Sequence, residues 1–332
     1  GLVGSVKYLL RSWEMLGWVV FFSIIAFFVK EKIMDLRSIA YGLNYKTENV
    51  APPRYNYHAL KILFNADLYE LDKQKEIQRL EKWKALQDSA NGKPPLIIIS
   101  VSGGGSRAAF WTFRALQYAD SISGHKLFNH TVMFTGASGG MIGAAYWRGI
   151  HDMYREGNLE DPYKDDYQQN MAKDLLNSIV FSLASVDMIS PFNKISLAGY
   201  SYTKDRGYAM EQELIRNTEG VLDKKLGDYK QKEADGMIPM CIINGTIIND
   251  GRRLMMAAQP LGYLTQSEYS VNGTGLQAVD AVDFAALFSK QNPYNLRLTT
   301  ALRMTATFPY ILPVVRLPSQ PVMNVMDAGL RD

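Results

Sequence analysis

The alternation of hydrophobic and polar positions is most informative between residues 96 and 140. One unbroken apolar run covers 96–101 and a second covers 131–135, and a glycine follows each within two residues. Short runs of this kind, rich in β-branched and aromatic residues, are typical of fully buried parallel strands. A helix-like pattern over 108–121 lies between them. Strand, glycine loop, helix, strand and sharp turn in this order predict one right-handed βαβ unit.

The amino-terminal segment has a different pattern. Residues 16–29 carry no charge and are rich in Phe and Ile, and charged residues of both signs flank them. The run is shorter than the roughly 20 residues that cross a bilayer, although Leu9, Leu10 and Trp13 could extend it. A spanning helix, an interfacial anchor and a core helix all fit this run, and its aromatic richness favours membrane association. We therefore predict a single membrane-associated helix, on a side of the membrane that the flanking charges leave open.

These patterns divide the chain into three regions. We predict a membrane-associated segment over 1–43, a linker and amphipathic helical region over 44–93, and an α/β catalytic domain over 94–332. Apolar residues at helical spacing over 58–90 predict a helix, broken near Asn65, that packs on the catalytic domain. Because the chain does not begin with Met and ends where a further helix should pack, we expect it to be a segment of a longer protein.

The second apolar run leads into a serine turn that fits the G-x-S-x-G nucleophile elbow. In this turn, Gly136 and Gly139 let the chain close sharply and leave the hydroxyl of Ser138 exposed. The helix that starts there directs free amides and a positive dipole end at any oxyanion formed beside the serine. A glycine-rich helix cap can match the same pattern by chance, but the position between a strand and a helix favours Ser138 as a nucleophile.

The glycine loop after the first run has two functional interpretations. Its G-x-G-x-x-A spacing over 103–108 matches the dinucleotide-binding fingerprint, but the next strand does not end in the carboxylate that this fingerprint requires. Arg107 either pins the loop by hydrogen bonds or is a solvated residue at the start of the helix. The better interpretation is an oxyanion hole, in which a row of backbone amides points at the serine: those of Gly103, Gly104, Gly105 and Ser106.

A serine nucleophile needs a base, and the histidines are badly placed for that role. Only His151 follows Ser138, and it lies about three and a half turns further along the same helix. A carboxylate acting directly on the serine is the alternative. Asp327 is the candidate, because it ends an apolar run and precedes two small residues. Taken alone, it could equally form an Asp turn that caps a helix.

Together these motifs resemble the patatin-like phospholipase family. The resemblance implies an α/β fold in three layers around a mainly parallel central sheet. It also implies a Ser–Asp dyad that hydrolyses acyl esters of lipids: Ser138 attacks, Asp327 takes the proton, and amides near Gly104 and Gly105 hold the oxyanion. The similar segments occur in the family's order: 103–107 for the oxyanion loop, 136–140 for the elbow, 244–253 and 301–309 for two weaker blocks, and 326–329 for the catalytic Asp-Gly motif, with Ala328 where glycine is common.

Composition changes this interpretation only by exclusion. A chain of 332 residues with 47% hydrophobic content can build one large α/β core with an appendage. Its formal charge of +3 is too small to indicate a nucleic-acid partner. The only cysteine, Cys241, excludes an internal disulfide framework, and no Cys/His cluster has the spacing of a metal site. We predict neither a metal nor a cofactor.

The sequence therefore predicts a carboxylic ester hydrolase of the phospholipase A or lysophospholipase type. Its expected partners are a membrane lipid or lysolipid substrate and a membrane surface. Two alternatives stay open. An alcohol could resolve the acyl-enzyme in place of water, which would make the protein an acyltransferase. The chain could also be a non-catalytic subunit of a membrane complex that keeps the hydrolase fold, although the intact serine, aspartate and glycine loop argue against this.

Overall fold

The protein is described by a computed structural model. The model describes residues 4–5, 17–23, 38–46, 50–87, 93–187, 193–266 and 279–331. Its labelled helices are α1 (Tyr57–Leu63), α2 (Ala66–Ala85), α3 (Gly105–Ile122), α4 (Lys126–His130), α5 (Ser138–Arg155), α6 (Asp166–Ala172), α7 (Leu176–Ser182), α8 (Arg206–Asn217), α9 (Lys230–Ala234), α10 (Phe284–Leu287) and α11 (Leu298–Thr305). Its strands are β1 (Ile97–Val101), β2 (Thr131–Gly136), β3 (Lys194–Leu197), β4 (Tyr200–Thr203), β5 (Met240–Ile247), β6 (Arg252–Met256), β7 (Ala281–Asp283), β8 (Val315–Leu317) and β9 (Met323–Met326).

Seven of these strands form one sheet in the order β1-β2-β5-β6-β7, with β9 beside β5 and β8 beside β9. The predicted βαβ unit is present, because β1 and β2 are parallel neighbours and α3 connects them. The β2–β5 and β6–β7 pairs are also parallel. The β5–β6, β5–β9 and β8–β9 pairs are antiparallel. The sheet is therefore mixed, and the prediction of a mainly parallel sheet is corrected, because β6 and β9 both run antiparallel to β5 and β8 runs antiparallel to β9.

The first strand is less buried than its apolar sequence predicted. Within the described residues it pairs with β2 alone, at an edge of the sheet, and its side chains alternate between half-buried and exposed. Ile99 and Val101 pack against the main core, whereas Ile98 is 59% exposed. The prediction of a parallel strand is confirmed and the prediction of full burial is wrong. An unbroken apolar run does not distinguish a central strand from an edge strand.

The sheet is covered on both faces, which gives the layered arrangement. Along β5, Cys241 and Ile243 belong to the main hydrophobic core, while Met240 and Ile242 belong to a second, smaller cluster. Helices α3 and α5 pack closely on each other over the main core. Gly143 makes this approach possible, because a Cβ at that position would lie 2.1 Å from the carbonyl oxygen of Ala109. A larger residue there would force the helices apart.

The long helix α2 docks in an unexpected way. The break predicted near Asn65 is present, and the Asn65 side chain caps α2 by accepting a hydrogen bond from a backbone amide. The helix does not contact the domain through an apolar stripe, however. Its buried residues are Asp72, Arg79 and Trp83, which bond to the backbone groups of Gly262, Val132 and Asn129. Polar side chains therefore satisfy backbone groups of the domain, while Leu71 and Ile77 are exposed.

The membrane segment predicted over 1–43 lies largely outside the described residues. Residues 17–23 are helical, and the large apolar side chains from Trp18 to Phe22 are exposed. Across the described ranges of the chain, no helix is long and apolar enough to span a bilayer. Further along, Ile39, Tyr41 and Leu43 are buried in the α/β domain. The backbone of Tyr41 accepts a hydrogen bond from the amide of Arg297, directly before α11.

Candidate active site

The serine of the predicted elbow occupies a strained backbone conformation. Ser138 has a φ of +53°, in the left-handed region that non-glycine residues rarely adopt. The turn lies directly between β2 and α5. Its glycines are required by close contacts, because a Cβ on Gly139 would lie 1.8 Å from the carbonyl oxygen of Gly105. A Cβ on Gly136 would likewise lie 2.2 Å from the carbonyl oxygen of Val101.

The glycine loop lies directly against this serine. A Cβ built on Gly103 would be 3.2 Å from the Cβ of Ser138 and 3.7 Å from its Oγ. The next two glycines have positive φ values, +129° at Gly104 and +63° at Gly105. Turns of this kind can present neighbouring amides on one side, as anion-binding loops do. The loop therefore lies next to Ser138, as the sequence predicted. The role of the loop as an oxyanion hole stays a prediction.

The two neighbouring polar residues of the loop are also in this region. Ser106 and Arg107 lie in the first turn of α3, and both side chains are exposed. The positions of these two side chains do not indicate that either one orders the glycine loop. The interpretation of Arg107 as a solvated residue at the helix start fits its exposure.

The candidate base, Asp327, is far from Ser138 in the sequence. Asp327 directly follows β9 and begins a 3-10 turn, and its carboxylate accepts a hydrogen bond of 2.8 Å from the amide of Gly329. The Ser138 side chain also acts on this carboxylate, because a hydrogen bond from it lowers the pKa of Asp327. The two interpretations of Asp327 are therefore compatible, because one carboxylate both caps a turn and faces the serine.

Burial makes this carboxylate more basic. Removal from water raises the pKa of Asp327 above its usual value, and the hydrogen bonds from Gly329 and Ser138 oppose that rise. Asp327 is only 7% exposed. A carboxylate with a raised pKa is a better proton acceptor at neutral pH than an ordinary surface aspartate. The pair can therefore support proton transfer from the serine without a histidine.

One end of helix α11 holds both members of this pair. The amide of Ser138 donates a 3.0 Å hydrogen bond to the hydroxyl oxygen of Thr305, and the amide of Asp327 donates one of 3.0 Å to the carbonyl of Thr307. The hydroxyl of Thr307 in turn bonds to the carbonyl of Arg303. Two segments that are far apart in sequence are thus fixed by residues 305–307.

Sequence reasoning missed these supporting residues. The segment 301–309 resembles a family block, but nothing in its pattern assigns a role to Thr305. The block 244–253 likewise predicts no role for Asn244. Its side-chain amide donates to the hydroxyl of Thr135 and to the carbonyl of Gly136, just before the elbow. A hydroxyl or amide within an apolar run is the signal that could have found both.

Thr305 can be tested as a positioning residue. Thr305→Val keeps the side-chain shape and removes the acceptor for the Ser138 amide, which is then buried without a partner, at a cost of about 1–3 kcal/mol. We expect the rate of covalent labelling by a fluorophosphonate to fall about tenfold, and Thr305→Ser to restore it. Thermal unfolding of each variant gives the control. A valine variant that labels at the parent rate, or a loss that merely follows the folded fraction, would contradict the positioning role.

The histidine on α5 is remote from the serine, as predicted. His151 lies 13 residues beyond Ser138, or roughly 20 Å along the helix. Its ring stacks on Phe128 with the centroids 4.4 Å apart, and its Nε2 is 3.4 Å from a carboxylate oxygen of Asp120. Burial lowers the pKa of His151 to about 4, although the Asp120 charge opposes this effect. The ring is therefore neutral at pH 7.

This buried histidine predicts a loss of stability in acid. The unfolded chain binds a proton at an ordinary pKa near 6.5, whereas the folded chain binds it only near pH 4. The free energy of unfolding should therefore fall by about 3 kcal/mol as the pH drops through this window. Urea titrations at several pH values would measure this effect. The free energy of unfolding should vary less with pH in His151→Gln than in the parent, and as in the parent in His58→Gln, a change at an exposed histidine. Equal pH dependence in the parent and both variants would contradict this prediction.

The site thus brings together the glycine loop, the elbow serine and Asp327, and leaves His151 outside. Within the described ranges, no group of three or more His, Cys, Asp or Glu side chains is arranged to hold a metal ion. Cys241 is buried in β5, and burial raises the pKa of its thiol to about 12. This thiol is therefore protonated and unreactive at neutral pH.

Of the comparisons with known proteins, the family model agrees with the motifs. The family model described as patatin-like phospholipase matches residues 99–332. No curated protein matches the chain significantly. Among solved structures, the chain is similar to VipD from Legionella pneumophila, with 12% sequence identity and a TM-score of 0.30. That alignment covers 72% of this chain and 47% of the VipD chain, so this chain spans about half of the length of VipD.

Proposed function

The chain belongs to the patatin-like phospholipase family, and we propose that it is a serine lipid acyl hydrolase of the phospholipase A or lysophospholipase type. The observation that carries this proposal is that Ser138 and the buried Asp327 are both bonded to residues 305–307, beside the glycine loop. A strained serine, a carboxylate with a raised pKa and adjacent backbone amides are the parts that acyl transfer needs.

The proposed reaction has two halves. In the first, Ser138 Oγ attacks the carbonyl carbon of the lipid ester and passes its proton to Asp327. Amides of Gly104 and Gly105 stabilise the oxyanion of the tetrahedral intermediate. The intermediate then expels the lysolipid or glyceryl alkoxide, which takes the proton from Asp327. In the second half, Asp327 accepts a proton from water, the hydroxide attacks the acyl-serine, and the free fatty acid leaves as the proton returns to Ser138.

We further propose that the protein acts in association with a membrane. The exposed apolar side chains of residues 17–23 support this, since a helix with Trp, Val and Phe in contact with solvent is suited to an interfacial position. The lipid substrate would then be available in the same surface.

Product analysis tests this proposal. The purified chain is incubated with phospholipid and lysophospholipid vesicles, with and without an added long-chain alcohol, and the lipid products are separated. Release of free fatty acid supports the hydrolase. A new alkyl ester formed at the expense of fatty acid would indicate an acyltransferase. No conversion of either lipid by a folded protein would overturn the proposal in favour of a non-catalytic subunit.

A further inference from the structure

The surface next to the Ser138–Asp327 pair carries exposed apolar side chains on two elements. On α3, which begins at the glycine loop, Phe110 and Trp111 lie on the outer face, and Trp111 is 71% exposed. In the loop after α11, Phe308, Tyr310 and Ile311 are exposed, and Tyr310 is 96% exposed. We call these five residues the apolar rim.

Both parts of the apolar rim are close to the reacting groups. Trp111 is six residues after Gly105, or about 9 Å along the helix, and the carbonyl of Gly105 lies against Gly139 in the elbow. Tyr310 is three residues after Thr307, at most about 11 Å along the chain, and the carbonyl of Thr307 bonds to the amide of Asp327. Each exposed group is therefore joined to the site by only a short stretch of backbone.

The conformation of Tyr310 is not explained by packing within the protein. Its φ is +69°, in the left-handed region, and such a conformation costs a non-glycine residue about 1–3 kcal/mol. With the ring almost wholly exposed, burial of this side chain does not offset that cost. Single exposed apolar residues are common in proteins, but several of them next to one site mark a surface that binds something apolar.

The charges around the apolar rim specify its partner. The exposed face of α3 carries Arg107 and Arg114, and the only acidic residue of that helix is Asp120, which is buried and bonded to the amide of Phe128. The loop over 306–313 has no charged residue at all. These two elements present exposed apolar side chains and arginines and have no exposed carboxylate of their own, which is complementary to a bilayer that contains anionic lipids.

The loop part of the rim is also fixed in position. The guanidinium of Arg206 donates a hydrogen bond of 2.8 Å to the carbonyl of Ile311. The same guanidinium forms an ion pair with Asp187, 2.8 Å away, at the end of the turn that follows α7. Asp187 is thereby neutralised next to the loop. The exposed apolar side chains are thus held outward by the fold.

We propose that the apolar rim docks the protein on an anionic lipid surface, with Ser138 at the interface where ester bonds of membrane lipids lie. Trp111 and Tyr310 insert among the headgroups, and Arg114 contacts lipid phosphates. This inference rests on the proposed function for the identity of the substrate, but binding to the surface is a separate property. A lipid can then enter the site without leaving the bilayer completely.

Sedimentation with vesicles tests the docking surface independently of catalysis. The full chain carrying Ser138→Ala, which leaves vesicles intact, is mixed with vesicles of phosphatidylcholine alone or with an equal part of phosphatidylglycerol. Adding Trp111→Ser with Tyr310→Ser should weaken binding to the anionic vesicles about tenfold or more, through loss of apolar contact. Arg114→Gln should weaken binding to anionic vesicles, with little effect on neutral ones. Circular dichroism and thermal unfolding verify that each variant is folded.

The matched control lies in the amino-terminal helix. Phe21→Ser with Phe22→Ser removes two exposed apolar rings from residues 17–23 and leaves the rim intact. Binding that disappears in this control but persists in the rim variant would overturn the docking proposal, as would a folded rim variant with the affinity of the parent. Fatty-acid release by the protein that retains Ser138 is measured separately. Vesicle binding through the rim without any release would refute the proposed function and leave the docking surface standing.

Discussion

Replacing Ser138 by alanine is expected to abolish fatty-acid release and covalent labelling by a fluorophosphonate probe. The hydroxyl is the only group of the proposed dyad that can form the acyl-enzyme, so the rate should fall at least about a thousandfold. Residual turnover would come from binding and the oxyanion amides alone. The Cβ atom is kept, and Ser138 is bonded to Thr305 through its backbone amide, so the fold should survive the change.

The measurement compares three proteins under identical conditions. The parent should label, Ser138→Ala should not, and Ser289→Ala, a change at an exposed serine away from the site, should label like the parent. Thermal unfolding midpoints show whether the proteins are equally folded. Labelling that persists in Ser138→Ala would refute the nucleophile assignment. A folded parent that never labels, even with vesicles present, would favour a non-catalytic subunit.

The parts of the site that the sequence predicted are those encoded within a few residues. The turn at Ser138 needs glycines on both sides, and these glycines are required by contacts as short as 1.8 Å from a hypothetical Cβ. The loop at Gly104 and Gly105 needs two positive φ values, which only glycine adopts readily. Because these constraints act on the residue itself, they leave a pattern that can be read without the fold.

Features that depend on distant partners left no such pattern. Ile98 lies on a face of β1 that nothing in the described residues buries, and the sequence of a strand does not encode what covers its faces. The hydrogen bond from Ser138 to Thr305 joins positions 167 residues apart. Helix α2 docks by Asp72 and Arg79, which a hydrophobicity pattern assigns to solvent. Long-range pairing therefore limited the prediction more than local structure did.

The Ser–Asp pair itself shows how the two kinds of information combine. The elbow pattern indicates Ser138 as the candidate nucleophile, whereas the sequence around Asp327 allows two equally good interpretations. Both interpretations of Asp327 fit the structure. One carboxylate oxygen accepts the hydrogen bond from Gly329 that caps the turn, and a hydrogen bond from Ser138 lowers the pKa of the same carboxylate. His151 takes no part in this pair, because it lies beside Asp120 and Phe128 at the far end of α5.

Replacing Asp327 by asparagine should be almost as damaging as removing the serine. Asparagine has the same shape and can still accept the hydrogen bond from Gly329, so the turn after β9 should be kept. Its amide cannot take a proton from Ser138, and the described structure has no histidine placed to substitute for it. We therefore expect a loss of at least about a thousandfold in labelling rate and in fatty-acid release.

The pH dependence of the labelling rate distinguishes a variant that has lost its base from one that has lost its structure. In the parent, the labelling rate should fall as the pH drops through the pKa of Asp327, and burial raises this pKa above that of an ordinary aspartate. Protonation of the carboxylate removes the acceptor, so the decline marks the acidic limb of the profile. The residual rate of Asp327→Asn should show no such limb, whereas Asp67→Asn, at an exposed position of α2, should keep it. An asparagine variant that retains both the rate and the limb would mean that another group accepts the proton, and the dyad would then have to be abandoned.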